Sequence, residues 1–332
     1  MSEVVDVHTH ALPTALLTWL SDRGLADLSG LADGVVTIDP LVSGIPAGAP
    51  IPLPPAQYDV AKRLEDLRKT GVTRQLVSLP PFVTCADATD EQDLLAVVRR
   101  GNDALAELLA GHREVLDPLG QVPLGTPVAV EEARRCLDEL ECAGLAIGTR
   151  GLGRELDDPV HEPLWEFLAD RRAFVFLHPN SVPGGSRLAD YWLPQLAGFP
   201  METALAVSRL VLGGVLERHA LRLCLAHGGG CLPSLLGRLD LGWSRKPVAR
   251  TTPHPPSDYL RRLYYDTATF STPLLRRLVE DYGVDHVLVG TDYPFELADT
   301  DPVGAVAALG LAPGEAAAIR AGTITALLTG SL

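Results

Sequence analysis

Eight short apolar runs, each followed by a helix-length amphipathic segment, predict an α/β protein of the (β/α)8 TIM-barrel class. Two further observations agree. The runs are rich in Val, Leu, Ile and Phe without polar alternation, as strands of a parallel sheet buried on both faces require. The side chains best suited to hold a cation or move a proton come just after several of these runs, where a barrel gathers its functional groups.

Taken in order, Val4-Val5-Asp6-Val7-His8-Thr9-His10 reads as a buried strand ending in two histidines, followed by a helix over 13–23. Residues 24–55 are rich in Gly, Pro and small side chains, too long for a plain connection. They read as an insertion or lid over the mouth of the site, with a small hairpin at 35–38, inside a single domain spanning 1–332. Regular alternation then begins. A helix over 59–69 carries Val60, Leu64 and Leu67 on one face and stops at Gly71. The spacing predicts further strands at 75–79, 116–121, 144–147, 173–177, 221–225, 263–266 and 286–290. Helices are predicted at 90–109, 131–142, 160–171, 201–218, 232–241 and 272–282, with two more closing the chain.

Composition narrows the function. A net charge of −14 argues against a nucleic-acid partner or an anionic membrane surface, because phosphate binding needs clustered Lys and Arg. A strand-like segment starts within the first five residues, so no signal peptide is expected, and no apolar run is long enough to span a bilayer. Five cysteines without a CxxC pair fit reduced thiols and a cytoplasmic location.

Side chains at i and i+2 of a strand share a side, so His8 and His10 present two imidazoles to one point. His178 and Asp292 follow the fifth and eighth runs, and in a closed barrel all four converge. Three imidazoles and a carboxylate suit one Zn²⁺, with Fe²⁺, Co²⁺ or Mn²⁺ as alternatives. A second cation bridged by a carboxylated lysine is not expected: Lys62 and Lys69 lie on a predicted helix and Lys246 in a loop. His227 ends the sixth run before Gly228-Gly229-Gly230 and reads as a further ligand or, better, an acid/base. The other histidines, His112, His161, His219, His254 and His286, are expected to be solvated.

Asp6-Val7-His8-Thr9-His10 with Leu12-Pro13, Gly144-Leu145-Ala146-Ile147-Gly148-Thr149, Phe176-Leu177-His178-Pro179 and Tyr191-Trp192-Leu193-Pro194 form a recognisable set. With Ala226-His227-Gly228-Gly229-Gly230 and Gly290-Thr291-Asp292-Tyr293-Pro294-Phe295 they resemble the aminocarboxymuconate-semialdehyde decarboxylase branch of the amidohydrolase superfamily. The resemblance implies a mononuclear Zn²⁺ enzyme without an organic cofactor, with His8, His10, His178 and Asp292 as ligands. It implies that the metal lowers the pKa of bound water and that His227, as acid/base, helps activate that water and manages the proton while an unsaturated carbon bearing a carboxylate becomes sp³ and loses CO₂, with Asp292 as catalytic partner. It further implies a homodimer in which Arg238 of the partner subunit clamps a substrate carboxylate, and a pocket to which Phe295, Asn180 and Gln195 contribute.

The departures bear on the substrate. Between Arg23 and Lys62 there is no Lys or Arg, where the decarboxylase of this branch carries a second carboxylate-binding arginine; Asn180 and Gln195 stand where Trp is usual. Burying a carboxylate without a cationic partner costs several kcal/mol, on the order expected for an unpaired ion. A small, less acidic carboxylic acid is therefore expected rather than the muconate dicarboxylate. The same site would suit a hydrolase of a lactone, ester or amide. A non-catalytic binding protein is the remaining reading.

Overall fold

The computed structural model describes residues 3–85, 88 and 90–331; residues 1, 2, 86, 87, 89 and 332 of the expected 1–332 domain lie outside the described residues. Eight parallel strands form the barrel: β1 (Val5–His10), β2 (Arg74–Ser78), β3 (Leu116–Gly120), β4 (Gly144–Ile147), β5 (Phe174–Leu177), β6 (Arg222–Leu225), β7 (Tyr264–Asp266) and β8 (Val287–Leu288). Neighbours in sequence pair in space from β1 to β8. The ring closes through Val7 N–H to the Val289 carbonyl at 2.8 Å and Asp292 N–H to the His8 carbonyl at 2.9 Å. The eighth strand is shorter than the sequence predicts, because His286 sits in a tight turn and Val289 onward pairs with β1 only irregularly.

Two cores follow from strand alternation. Val5, Val7, Leu76, Phe174, Phe176 and Cys224 fill the barrel interior, plugged by Ile324 and Leu327 of the last helix. The opposite faces, such as Val77, Val175, Leu223 and Val287, pack beneath the helical shell. A register irregularity between Asp6 and Thr9 lets β1 place Val5 and Val7 in the interior and then turn His8 and His10 to its mouth.

The helices start and stop on local signals. Asp59 accepts N–H bonds from Ala61 and Lys62 to start α2 (Val60–Thr70), which follows α1 (Thr14–Ser21), and Gly71 ends it at φ 74°. Asp90 caps α3 (Glu91–Leu109) in the same way. Two further helices, α4 (Ala129–Asp138) and α5 (Glu162–Asp170), cover β3 to β5. The single long helix expected over 201–218 is instead α6 (Phe199–Leu212) and a short α7 (Val215–Arg218). Gly213-Gly214 separates them, Gly214 taking φ 75°. The remaining outer helices that matter here are α8 (Leu232–Arg245), α9 (Pro256–Leu260) and α10 (Thr272–Tyr282).

The 24–55 insertion is more ordered than a hairpin. Val35–Ile38 is the middle strand of a three-stranded antiparallel sheet with Ala26–Asp27 and Ile51–Pro52. Val36, Ile38, Val42 and Leu53 are buried in the outer core, and the Val42 carbonyl accepts the N–H of Cys85 beyond the end of β2. The insertion is thus tied to the side of the barrel where the strands end.

Candidate metal centre and active site

His8, His10, His178 and Asp292 meet at the strand ends, all nearly or fully buried. Ring centroids lie 5.2 Å apart for His8 and His10, 5.0 Å for His8 and His178, and 5.1 Å for His10 and His178. The Nδ1 atom of each imidazole is occupied. His8 Nδ1 donates to Asp266 Oδ2 at 2.6 Å, and His178 Nδ1 donates to the Pro179 carbonyl at 2.8 Å. His10 Nδ1 stands 3.1 Å from Ser78 Oγ and 3.3 Å from the Leu79 carbonyl. This leaves the three Nε2 lone pairs free to point at the centre.

The buried Nε2 atoms of His8, His10 and His178, together with Asp292 Oδ1, have no hydrogen-bond partner. Asp292 Oδ1 lies only 3.1 Å from His8 Nε2 and 3.2 Å from His10 Nε2. These approaches bring acceptors together without a donor lying between them in hydrogen-bonding geometry. Each unsatisfied buried polar atom costs about 1–3 kcal/mol, so four facing one point form a strongly unfavourable arrangement that a cation relieves. Nitrogen and carboxylate donors on a single centre suit a divalent transition metal. The residues present fit such an ion.

The electrostatics agree. Burial pushes the Asp292 carboxyl up, but His8, His10 and His227 pull it well below the usual range, so it is anionic. Burial, reinforced by His227 and the other imidazoles, holds His178 well below its ordinary value, and burial lowers His10. Burial opposes a charge on His8 too, yet Asp292 and Asp266 outweigh it and raise its pKa to about 10: the centre attracts positive charge.

His227 arrives by a different route. Cys224 and Ala226 face the barrel interior, so plain alternation would turn residue 227 away. A left-handed backbone at φ 56°, ψ 39° turns it back, with Gly228 and Gly229 also at positive φ. L-residues adopt that conformation at a cost of roughly 1–2 kcal/mol, and such strain gathers at functional sites. His227 Nε2 lies 3.6 Å from Asp292 Oδ2, its Nδ1 has no partner, and its ring is 5.0 Å from that of His178. One ligand atom from each of His8, His178, His227 and Asp292 lies within 4.8 Å of the others, so His227 is near enough to ligate as well.

The other expected site residues are placed as follows. Phe295 lies with its ring 5.0 Å from that of His10. Asn180 Oδ1 accepts from Thr149 N–H and Oγ1 at 2.9 and 3.1 Å, and its Nδ2 donates to Thr84 Oγ1 and the Arg150 carbonyl. Its amide therefore ties three loops at the mouth together. Gln195 lies in the wide turn before α6, its Oε1 buried without a partner. Arg238 is exposed on α8 and not brought to the centre within the chain. Lys62 and Lys69 are committed to Glu65 and Asp66 on α2.

Three buried polar residues escaped sequence reading. Asp266 ends β7 and orients His8. Arg63, which looks like an ordinary helix charge, is buried on α2: it donates to the His10 carbonyl and to Gln75 Oε1 at 2.8 Å, with its guanidinium 4.9 Å over the Tyr293 ring. Burial pulls its pKa down to about 10. His161, expected to be solvated, is fully buried and its Nε2 accepts the Gly125 N–H at 2.9 Å, because it must close the tight turn after β3. Its place at the end of a run read as a strand was the one signal for Asp266.

Comparison with known proteins adds the family. Residues 5–329 match the family described as amidohydrolase. The chain is 34% identical over 249 residues to the 2-amino-3-carboxymuconate-6-semialdehyde decarboxylase of Dictyostelium discoideum, covering 74% of this chain and 69% of that protein. It is 29% identical over 256 residues to a gamma-resorcylate decarboxylase of a Rhizobium species, covering 71% of this chain and 77% of the other. The apo crystal structure of IDCase from Metarhizium anisopliae superposes with a TM-score of 0.78 at 26% identity, over 99% of this chain and 98% of that one. Matched along almost its whole length and bearing the histidine and aspartate centre at its strand ends, the chain belongs to the amidohydrolase family.

Proposed function

We propose that the protein is a zinc-dependent, non-oxidative decarboxylase of an unsaturated or aromatic carboxylic acid. The observation that carries this reading is the convergence of four unsatisfied buried ligand atoms beside a histidine held in a left-handed backbone. The decarboxylase names of the relatives support the reaction class.

In this reading His8, His10, His178 and Asp292 hold the ion. His10 is preferred to His227 as a ligand because its Nε2 is buried and bare while its Nδ1 is engaged by the end of β2. His227 is more exposed and leans on the outer oxygen of Asp292, as a group that handles the substrate's proton should. A divalent cation, when bound, supplies Lewis acidity and lowers the pKa of water or a substrate hydroxyl. His227 Nε2 delivers a proton to the carbon bearing the carboxylate, which becomes sp³. The bond to the carboxylate then breaks, its electron pair restores the double bond, and CO₂ leaves. Asp292 keeps the imidazole oriented and stabilises its charged form.

The pocket wall is assigned to Phe295, with Gln195 Oε1 as a polar contact and Asn180 as the residue that shapes the rim. The lack of any Lys or Arg between Arg23 and Lys62 favours a monocarboxylate. A homodimer is part of the proposal: Leu196, Met201 and Leu205 on or before α6, with Leu235 and Leu241 on α8, are exposed large apolar residues around Arg238. A second copy covering them would let Arg238 of the partner subunit reach a substrate carboxylate. A cytoplasmic location is proposed with it, since all five cysteines are free. Among the described residues no helix is long and apolar enough to cross a membrane.

The test is a mass-spectrometric screen of the zinc-loaded protein against aromatic and unsaturated mono- and dicarboxylic acids, lactones, esters and amides. Loss of CO₂ from a monocarboxylate is expected. Gain of water by a lactone, ester or amide, without release of CO₂, would overturn the decarboxylase reading in favour of hydrolysis.

A further inference from the structure

Beside the metal centre the strand ends enclose a second, much smaller cavity. Gln121 past β3, Gly148 and Arg150 past β4, Asn180 past β5 and Thr84 past β2 line it, with Val122 as an apolar neighbour. His178 N–H donates to the Ile147 carbonyl at 3.0 Å, so the residues after β4 start alongside a histidine of the centre. The cavity measures about 10 Å³, room for a single oxygen atom.

Most polar groups around this space are engaged. Thr84 Oγ1 donates to the Pro81 carbonyl at 2.9 Å and accepts from Asn180 Nδ2 at 3.0 Å, while Asn180 Oδ1 is taken by Thr149. Two atoms are not. Gln121 is 4% exposed, yet its Oε1 is buried without a partner, and so is Arg150 Nε. One is an acceptor and the other a donor. Both side chains start from fixed backbone. Gln121 N–H donates to Asn102 Oδ1 at 2.8 Å, and the Gln121 carbonyl accepts from Asn102 Nδ2 at 2.9 Å. The Arg150 carbonyl accepts from Asn180 Nδ2 at 3.1 Å, and Arg150–Gly151 pairs with Arg154–Glu155 in a short antiparallel hairpin. The acids nearest Arg150 are turned elsewhere. Glu155 Oε2 faces Arg209 Nε at 3.7 Å, and Glu202 bonds to Thr149 and meets Arg150 without forming an ion pair.

We infer that Gln121 and Arg150 form a one-oxygen subsite that reads a neutral hydroxyl group on the substrate's body, away from its carboxylate. The inference rests on the acid-binding mouth proposed above. A hydroxyl accepts from Arg150 Nε and donates to Gln121 Oε1 through one atom, so it satisfies both. A substrate with hydrogen at that position leaves the donor and the acceptor buried and unpaired. A second carboxylate would suit Arg150 but would set acceptor against acceptor at Gln121, in a space that holds one oxygen. A methoxy group can accept but cannot donate, and its methyl has no room. The substrate class is thus a hydroxylated, unsaturated or aromatic monocarboxylic acid.

Calorimetric titration of the zinc-loaded protein with benzoate, 3- and 4-hydroxybenzoate and 3- and 4-methoxybenzoate tests this. These positions are chosen because a 2-hydroxyl would lie beside the carboxylate and could reach the ion itself. At one position the hydroxy acid is expected to bind about tenfold or more tighter than benzoate, and the methoxy acid no tighter than benzoate. In Gln121→Met and Arg150→Met, with zinc content unchanged, that preference should fall below about threefold. A preference equal in the parent and both variants would place hydroxyl recognition elsewhere and overturn the inference. So would equal binding, or no binding, of all five acids by the parent, the result expected if a permanent water fills the cavity. A methoxy acid that binds as tightly as its hydroxy counterpart would overturn it too, and these last arms need only the parent protein should a variant fail to fold. Failure of the decarboxylase reading is distinct: no CO₂ from any acid, with the hydroxyl preference kept, would remove the reaction and leave the subsite.

Discussion

His8 Nδ1 donates to Asp266 Oδ2 across 2.6 Å, and the other oxygen of the same carboxylate accepts the N–H of Gly228 at 2.8 Å and of Ala268 at 3.1 Å. One buried side chain thus orients an imidazole of the proposed metal centre and also fixes the loop that carries His227. Asp266→Ala should lower zinc affinity by about 10- to 100-fold, the usual cost of removing a carboxylate behind a ligating histidine. Asp266→Asn should fail as well. If its oxygen serves His8, its amide presents a donor to the Gly228 N–H. Zinc per subunit after dialysis against a weak chelator, measured with turnover, checks both; full zinc retention in Asp266→Ala would remove this role.

His227→Asn tests the division of labour at the centre. The substitution keeps a polar group of similar reach but removes the titratable ring, so kcat should fall by about 10²- to 10⁴-fold. Zinc content should stay at the parental level, because four other donor groups remain. Loss of the ion together with activity would make His227 a ligand in place of His10.

Much of this centre was legible because its residues interrupt apolar strands at their ends. His8, His10, His178 and Asp292 each stand where a run of Val, Leu or Phe stops, and barrel closure then brings them together whatever the details of the loops. Asp266 follows two tyrosines and shows nothing by itself; its meaning depends on a partner 258 positions away. Arg63 sits in a helix that also carries half-buried Lys62 and exposed Glu65 and Lys69, so its burial appears only once α2 is laid against the end of β1. The insertion had no period to read, since its strands are only two to four residues long and pair through turns of Gly and Pro. The break between α6 and α7 was visible as Gly213-Gly214 but lay inside an otherwise helical pattern.

The outer shell offers a pH signature. The Arg218 guanidinium, helped by His219 and only partly opposed by burial, pulls Glu162 down to about 2. A carboxyl whose folded pKa lies below its unfolded value of 4.5 stabilises the fold above that value, and the contribution is lost as pH falls through 4.5 toward 2. The group is only partly shielded from solvent, so screening limits the effect to about 0.5 kcal/mol. Glu162→Gln should therefore lower the melting temperature by roughly 1 °C near neutral pH. The gap between variant and parent should shrink steadily below pH 4.5; a gap that stays constant down to pH 3 would remove the ion pair from the account.

Gly148 and Asn180 form a steric pair at the rim of the site. A Cβ on residue 148 would stand 2.1 Å from Asn180 Nδ2 and 2.3 Å from its Cγ, far inside contact distance. Asn180 has nowhere easy to go, because Thr149, Thr84 and the Arg150 carbonyl together hold its amide. Gly148→Ala should then cost about 1–3 kcal/mol, the range for overpacking a fixed site. Asn180→Ala should cost a similar amount, through the hydrogen bonds it removes from the mouth loops. The double variant should be less destabilised than the sum, since the new methyl group occupies space the amide has left, with a coupling of about 0.5–3 kcal/mol. Urea unfolding of the four proteins measures the cycle. Simple additivity would mean that the rim accommodates a larger residue at 148 by moving the β4 loop, and that Asn180 does not set its position.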